Sequence, residues 1–147
     1  MNLHTVYLSL GSNLGHRRRN IRQAIGRIGE LIGTVERQSA LFETEPWGFN
    51  SDHPFINAAV CCTTTLTPRQ LLQATQQIER ELGRTRKSVG GVYHDRLIDI
   101  DILLYDDLTV DEPDLQIPHP LMHERPFVME PLRDILPPST SPTQQAG

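Results

Sequence analysis

Nine residues, Leu97 to Tyr105 (LIDIDILLY), restrict the fold more than any other part of the chain. Ile98, Ile100 and Ile102 alternate with Asp99 and Asp101, which is the period of an extended strand. The isoleucines therefore leave one face and the two carboxylates the other. One face is core, and the other carries paired negative charge.

A strand of this kind needs partners, and the chain offers them. TVYLSLGSN at Thr5–Asn13 alternates and then breaks at Gly11, which predicts a strand ending in a polar turn. Ile21, Ile25, Ile28, Leu31 and Ile32 follow at helical spacing, predicting a helix from about Arg18 to Ile32 closed by Gly33. Thr34–Thr44 reads as one strand, and Pro46, Gly48, Asn50, Ser51, Asp52 and Pro54 as a loop. Phe55–Leu66, rich in β-branched residues, reads as a central strand. Thr67 then caps a helix with Pro68 at its first position, where the missing N–H costs nothing. That helix carries Leu71, Leu72, Thr75, Ile78 and Leu82 on its apolar face and stops at Gly83. After the LIDIDILLY strand, Asp106 and Asp107 turn the chain, Leu115–Ile117 gives a short strand, and Pro126–Ile135 a last helix. The order β, α, β, β, α, β is the split pattern of α+β folds. The expectation is a ferredoxin-like βαββαβ core with a mainly antiparallel sheet, helices packed on it, and a short strand and C-terminal helix appended.

At 147 residues, 37% hydrophobic and 22% charged, the chain suits one domain, expected over residues 1–136. Residues 137–147, rich in Pro, Ser, Thr and Gln, read as a disordered tail. The net charge of -4 supplies no positive field to gather nucleic acid or an anionic membrane. Apolar runs fall well short of the ~20 residues that span a bilayer. Cys61 and Cys62 are adjacent, so on a strand they point to opposite faces and offer no disulfide or ligand spacing. The expected compartment is the reducing cytoplasm, and the expected state a monomer.

The chemistry concentrates around the acid pair. Two carboxylates whose Cα atoms lie ~6 to 7 Å apart can bracket magnesium ions, which take oxygen ligands and share them with substrate phosphates. Alone, such alternation is more often the solvated face of an edge strand. Basic residues just before the strand shift the balance. Arg84, Arg86 and Lys87 lie at the preceding helix end, where the dipole favours cations, but Arg96 has no such explanation. Arginine offers a fork for phosphate oxygens and lysine a point charge. Ser88–Tyr93, with adjacent glycines, suits either a loop covering a nucleotide or a plain connector. GSNLG at Gly11–Gly15 lacks the spacing of a P-loop or a dinucleotide-binding turn and is read as mainly structural. His119, between two prolines, is a possible phosphate donor or proton shuttle.

Taken in order, GSNLG, FETEPWG, FINAAV, IERELGRTRK, RLIDIDILLY and IPHPLMHERPFVMEPL resemble the 6-hydroxymethyl-7,8-dihydropterin pyrophosphokinase family over nearly the whole chain to about Leu136. The resemblance implies transfer of the β,γ-diphosphate of ATP to the pterin alcohol, leaving AMP, with two Mg2+ ions. It places the magnesium on Asp99 and Asp101 and gives Arg84 and Arg96, with those acids, the catalytic work. It lines the ATP site with Gln76, Glu79, Arg84, Arg86, Lys87, Arg96, Ile102, His119 and Arg125. The pterin pocket it implies comprises Thr44, Glu45, Trp47, Phe55, Asn57 and Phe127. An asparagine amide offers both a donor and an acceptor to a heterocycle edge, and aromatic rings offer flat faces for stacking. The sequence also departs from the family. His94 and Asp95 precede Arg96 where Gly-Pro is common, Tyr93 and Phe55 stand where tryptophan and tyrosine can occur, and the C-terminus stops early. The rival from another class is a non-catalytic ferredoxin-like metabolite-binding regulatory module, which would need neither the acid pair nor Arg96. An RNA-binding sheet is disfavoured by the lack of aromatic-rich strands and by the acidic charge.

Overall fold

The computed structural model describes residues 2–44, 54–83 and 97–136. Its elements are β1 (His4–Ser12), α1 (Arg17–Leu31), β2 (Gly33–Gln38), β3 (Phe42–Thr44), β4 (Phe55–Thr64), α2 (Pro68–Gly83), β5 (Asp99–Tyr105), β6 (Val110–Glu112), β7 (Leu115–Ile117) and α3 (Pro126–Ile135). The main sheet runs β2-β4-β1-β5, with β3 also on β4, and every pairing is antiparallel. This is the expected α+β arrangement.

Strand register sorts the side chains into two faces. Val6, Leu8 and Leu10 of β1 pair with Cys62, Val60 and Ala58 of β4, and Tyr105, Ile102 and Ile100 of β5 continue these rows. All of them are buried in one core with Ile21, Ala24 and Ile28 of α1 and Leu71 and Ile78 of α2. The opposite face is divided. One end is apolar, where Ala59, Cys61 and Leu103 lie beneath Val128, Met129 and Leu132 of α3. The other end, with Ser9, Gly11, Asn57, Asp99 and Asp101, is polar.

A bulge makes that division. Leu8 pairs with Ile102 but Tyr7 pairs with Leu104, so Leu103 is an extra residue in β5. Two successive leucines thus reach the α3 side, and strict alternation stops at Ile102. The sequence pattern does not announce the bulge.

Three other expectations are corrected. β1 continues through Gly11 to Ser12 instead of breaking at the glycine. The single strand expected at Thr34–Thr44 is two, because at Ser39 the chain turns to bond Ala59: the Ser39 N–H donates to the Ala59 carbonyl, and the Ala59 N–H to Ser39 Oγ. Gly33 does not close α1 in a left-handed turn. Ile32 ends the helix in right-handed geometry with its N–H on the Ile28 carbonyl, and Gly33 already belongs to β2. A Cβ there would stand 1.9 Å from the Thr63 carbonyl oxygen, so close backbone approach is what requires glycine. Strand β6 is an addition, since the sequence predicts only a turn at Asp106 and Asp107 ahead of the short strand at Leu115–Ile117.

Helix α2 begins as expected and more firmly. The Gln70 N–H donates to Thr67 Oγ1 while the Thr67 N–H donates to Gln70 Oε1, a reciprocal cap. Its far end is tied to α1 by Arg27, which forks onto Glu81 at 2.8 and 3.0 Å.

Candidate active site

The polar end of the sheet reads as a row across four strands: Phe42, Asn57, Gly11, Asp99. Strands lie ~4.8 Å apart, so Asn57 and Asp99 sit ~10 Å from each other with glycine between them. At Gly11 an added Cβ would meet Asn57 Oδ1 at 3.1 Å and the Phe55 ring at 3.3 Å. The missing side chain lets the Asn57 amide oxygen and the Phe55 ring lie over the Gly11 backbone, with the Asp99 strand on the other side.

The amide is fixed in place. Asn57 is 3% exposed, and its Nδ2 donates to Thr44 Oγ1 at 2.6 Å. Its Oδ1 is left toward Gly11. Thr44 pairs with Phe55, so a hydroxyl, an amide and a ring edge come together beside Gly11. Asn57→Ala would remove both the donor and the acceptor that this position presents to the edge of a heterocycle.

On the other side, Asp99 and Asp101 share a face of β5, both half-buried, and pair with Gly11 and Ser9. Glu79 reaches the same place from α2, where its Oε2 accepts the Ile100 N–H at 2.8 Å. That bond covers an outward backbone donor on the edge strand β5. Burial, reinforced by the Asp99 charge, pushes the Glu79 carboxyl up to about 8. Glu79 thus joins Asp99 and Asp101 in one cluster of carboxyl oxygens, a donor set that suits a hard cation. Among the described residues no three His, Cys, Asp or Glu side chains are placed to hold an ion unaided. An all-oxygen pair fits magnesium, which keeps waters and shares its shell with phosphates.

His119 enters beside them, its N–H bonded to the carbonyl of the bulged Leu103. The Leu121 N–H donates to His119 Nδ1 at 3.2 Å, so Nε2 carries the ring proton. Burial, with help from the Arg125 charge, holds this imidazole below its ordinary value, against a smaller opposing pull from Asp99. It is a neutral donor at pH 7. Arg125 is buried, with its guanidinium 5.7 Å from the centre of the Phe127 ring.

A cleft of about 260 Å³ runs along the outer edge of β5 from this cluster. Leu72 and Thr75 of α2 form one wall, the β6–β7 hairpin with Leu115 and Gln116 the other, and Ile100 and Ile102 the floor; Asp101 and His119 stand at its inner end. A cleft that mixes leucine and isoleucine surface with polar groups, and that carries Asp101 and His119, suits a base with a charged tail.

The structure thus brings together Thr44, Phe55, Asn57, Asp99, Asp101, Ile102 and His119, with Glu79 behind the acids. Gln76 is exposed on α2 and does not line the cleft. Glu45, Trp47, Arg84, Arg86, Lys87 and Arg96 lie outside the described residues. Sequence reasoning missed Gly11, Leu72, Thr75 and the hairpin wall, all of which depend on pairings invisible in a linear chain.

Comparison with known proteins gives a consistent result. Residues 7–137 match the family described as 7,8-dihydro-6-hydroxymethylpterin-pyrophosphokinase (HPPK). A Porphyromonas gingivalis (strain ATCC 33277) protein named 2-amino-4-hydroxy-6-hydroxymethyldihydropteridine pyrophosphokinase is 53% identical over 133 residues, covering 90% of each chain. The Bacillus subtilis (strain 168) protein of that name is 43% identical over 131 residues, 88% of this chain and 77% of its own. In fold, the chain resembles a crystal structure of HPPK-DHPS in complex with substrates, with a TM-score of 0.74 at 14% identity over 97% of this chain and 42% of that one. It likewise resembles wild-type HPPK-DHPS of Plasmodium falciparum, with a TM-score of 0.70 at 15% identity over 90% of this chain and 41% of that one. The chain therefore spans about two fifths of those solved chains.

Proposed function

Because the chain belongs to the 7,8-dihydro-6-hydroxymethylpterin-pyrophosphokinase family, we infer that it transfers the β,γ-diphosphate of ATP to the hydroxymethyl group of 6-hydroxymethyl-7,8-dihydropterin. The products are the pterin diphosphate and AMP, and the reaction is a step in folate synthesis. The pterin oxygen bonds to the β-phosphorus as the bond from that phosphorus to the α-bridging oxygen breaks. The observation that carries this reading is the single row Asn57, Gly11, Asp99 beside the cleft that ends at Asp101. In this reading the heterocycle lies by Asn57 and the nucleotide in the cleft, on either side of one acid pair.

Each side chain has a task in this reading. Asn57, held by Thr44, reads the amide-like edge of the pterin, and Phe55 packs on its ring. Leu72, Ile102 and Leu115 take the base of ATP. His119 donates from Nε2 to a phosphate oxygen without adding charge. Arg125 adds positive potential, and Arg84 and Arg96 carry the phosphate contacts that the family resemblance assigns them. Asp99 and Asp101 would hold magnesium, which when bound neutralises charge developing on the transferred group. Phosphoryl transfer asks the protein chiefly for positioning and electrostatics, and this arrangement supplies both. Residues 1–136 would constitute the catalytic domain. Among the described residues no helix is long and apolar enough to cross a membrane.

Titration calorimetry with α,β-methylene-ATP, in which the bond that would break cannot, tests the nucleotide side. Tight binding with magnesium that falls ~10-fold or more in excess chelator supports the reading. Binding indifferent to magnesium overturns the role of the acid pair.

A further inference from the structure

Arg69 lies in the first turn of α2, fixed there by the Thr67–Gln70 cap. Its guanidinium forks onto two carboxylates of the β6–β7 hairpin: NH1 donates to Asp114 Oδ2 at 2.7 Å, and NH2 donates to Glu112 Oε1. The Arg69 partnership holds the Asp114 carboxyl below the usual carboxylate range.

Two features give this contact weight. First, the hairpin is a separate two-stranded sheet without strand pairing to the main sheet. Such ribbons hold their position only through what they pack against. Leu115 and Ile117 anchor one side of it in the core, and Arg69 ties its turn to α2. Those two elements are the opposing walls of the cleft, so the fork ties one wall to the other through Asp114, which itself lines the cleft. Second, the hairpin region is acidic. Five acids fall between Asp106 and Asp114, and no lysine or arginine occurs from Leu97 to Glu124. An unneutralised wall of that sign would repel a polyanion. Arg69 cancels the two acids next to the mouth.

We propose that Arg69 is a positioning residue for the nucleotide: by clamping Glu112 and Asp114 it sets the spacing of the walls around the base and keeps the cleft mouth from repelling the triphosphate. The proposal rests on the nucleotide assignment made above. It touches neither the acid pair nor the pterin site, so its effect belongs to nucleotide affinity alone.

The test measures binding of α,β-methylene-ATP with magnesium, and steady-state kinetics, for wild type, Arg69→Ala, the Glu112→Gln/Asp114→Asn double variant, and all three changes together. The expected result for Arg69→Ala is a nucleotide Kd and a KM for ATP about fivefold higher, with kcat and the KM for the pterin within twofold. The double variant breaks the clamp but leaves neither acid to repel the nucleotide, so it moves the same two constants upward by less than Arg69→Ala does, and the triple variant is no worse than Arg69→Ala, because a broken clamp cannot be broken again. Unchanged nucleotide constants in Arg69→Ala, with a wild type that binds, overturn the clamp alone. So does a parallel decline of kcat and both KM values, which would mark Arg69 as a general stabiliser. A wild type that does not bind the nucleotide overturns the functional assignment and the clamp with it.

Discussion

Asp99→Ala is expected to lower kcat for diphosphate transfer at least ~100-fold while leaving the melting temperature unchanged. Asp99 sits in one row with Gly11 and Asn57 and is half-buried on the polar end of the sheet. Electrostatic stabilisers of this kind commonly carry ~100-fold to ~1000-fold of the rate when removed singly. The thermal result follows from the crowding around it. The Glu79 carboxyl is driven up first by burial and then by the Asp99 charge, to which it also hydrogen-bonds, so the substitution removes a charge that opposes Glu79 ionisation together with one hydrogen bond, and the two losses offset. Most inactivating substitutions lose activity because they lose structure, and this one separates the two. Turnover within threefold of wild type would contradict the assigned role, and a large fall in melting temperature would recast Asp99 as structural. The measurement pairs initial rates with a thermal melt of the same preparation.

The second large effect concerns stability. Gly33→Ala is expected to lower the melting temperature by ~6 to 12 °C. The added methyl would lie 1.9 Å from the Thr63 carbonyl oxygen and 2.9 Å from its carbon. Both are backbone atoms of β4, which pairs with β1, β2 and β3 and cannot retreat without disturbing three ladders. The junction is tightened further by Thr64 Oγ1, which donates to the Ile32 carbonyl at 2.7 Å. Overpacking against a rigid neighbour costs ~3 kcal/mol, and each kcal/mol moves a domain of this size by ~2 to 4 °C. Gly29→Ala provides the contrast. Its Cβ would meet nothing within 4 Å on the exposed side of α1, so gaining helix propensity should raise stability by ~0.5 to 1 kcal/mol. If Gly33→Ala melts within 1 °C of wild type, the close-approach explanation of that glycine is wrong.

These two residues also mark what the sequence discloses. Asp99 and Asp101 were legible because a period of two is a local property: it assigns faces before any partner strand is known. The helices were legible for the same reason, and Thr67 with Pro68 announced the start of α2. Gly33 was misread because a glycine after a helix satisfies two different demands, a left-handed turn or a close backbone approach. Only the location of Thr63, thirty residues on, decides between them. Gly11 was taken for a turn residue, yet its importance lies in standing between Asn57 and Asp99, and that depends on the register of three strands. The bulge at Leu103 and the strand β6 were hidden for a related reason: one is an interruption of an otherwise good pattern, and the other is an acidic stretch whose pairing partner, Leu115–Ile117, makes it a strand. The Arg69 fork joins positions 43 and 45 apart in sequence.

The central claim is that a heterocycle site beside Asn57 and the cleft beside Ile102 feed one transfer across the acid pair. The most direct measurement is phosphorus NMR of the products formed from ATP, magnesium and 6-hydroxymethyl-7,8-dihydropterin. The account predicts AMP and a pterin diphosphate in equal amounts, both absent when the pterin is left out. Formation of ADP in place of AMP, or a pterin that emerges without phosphorus, would contradict it.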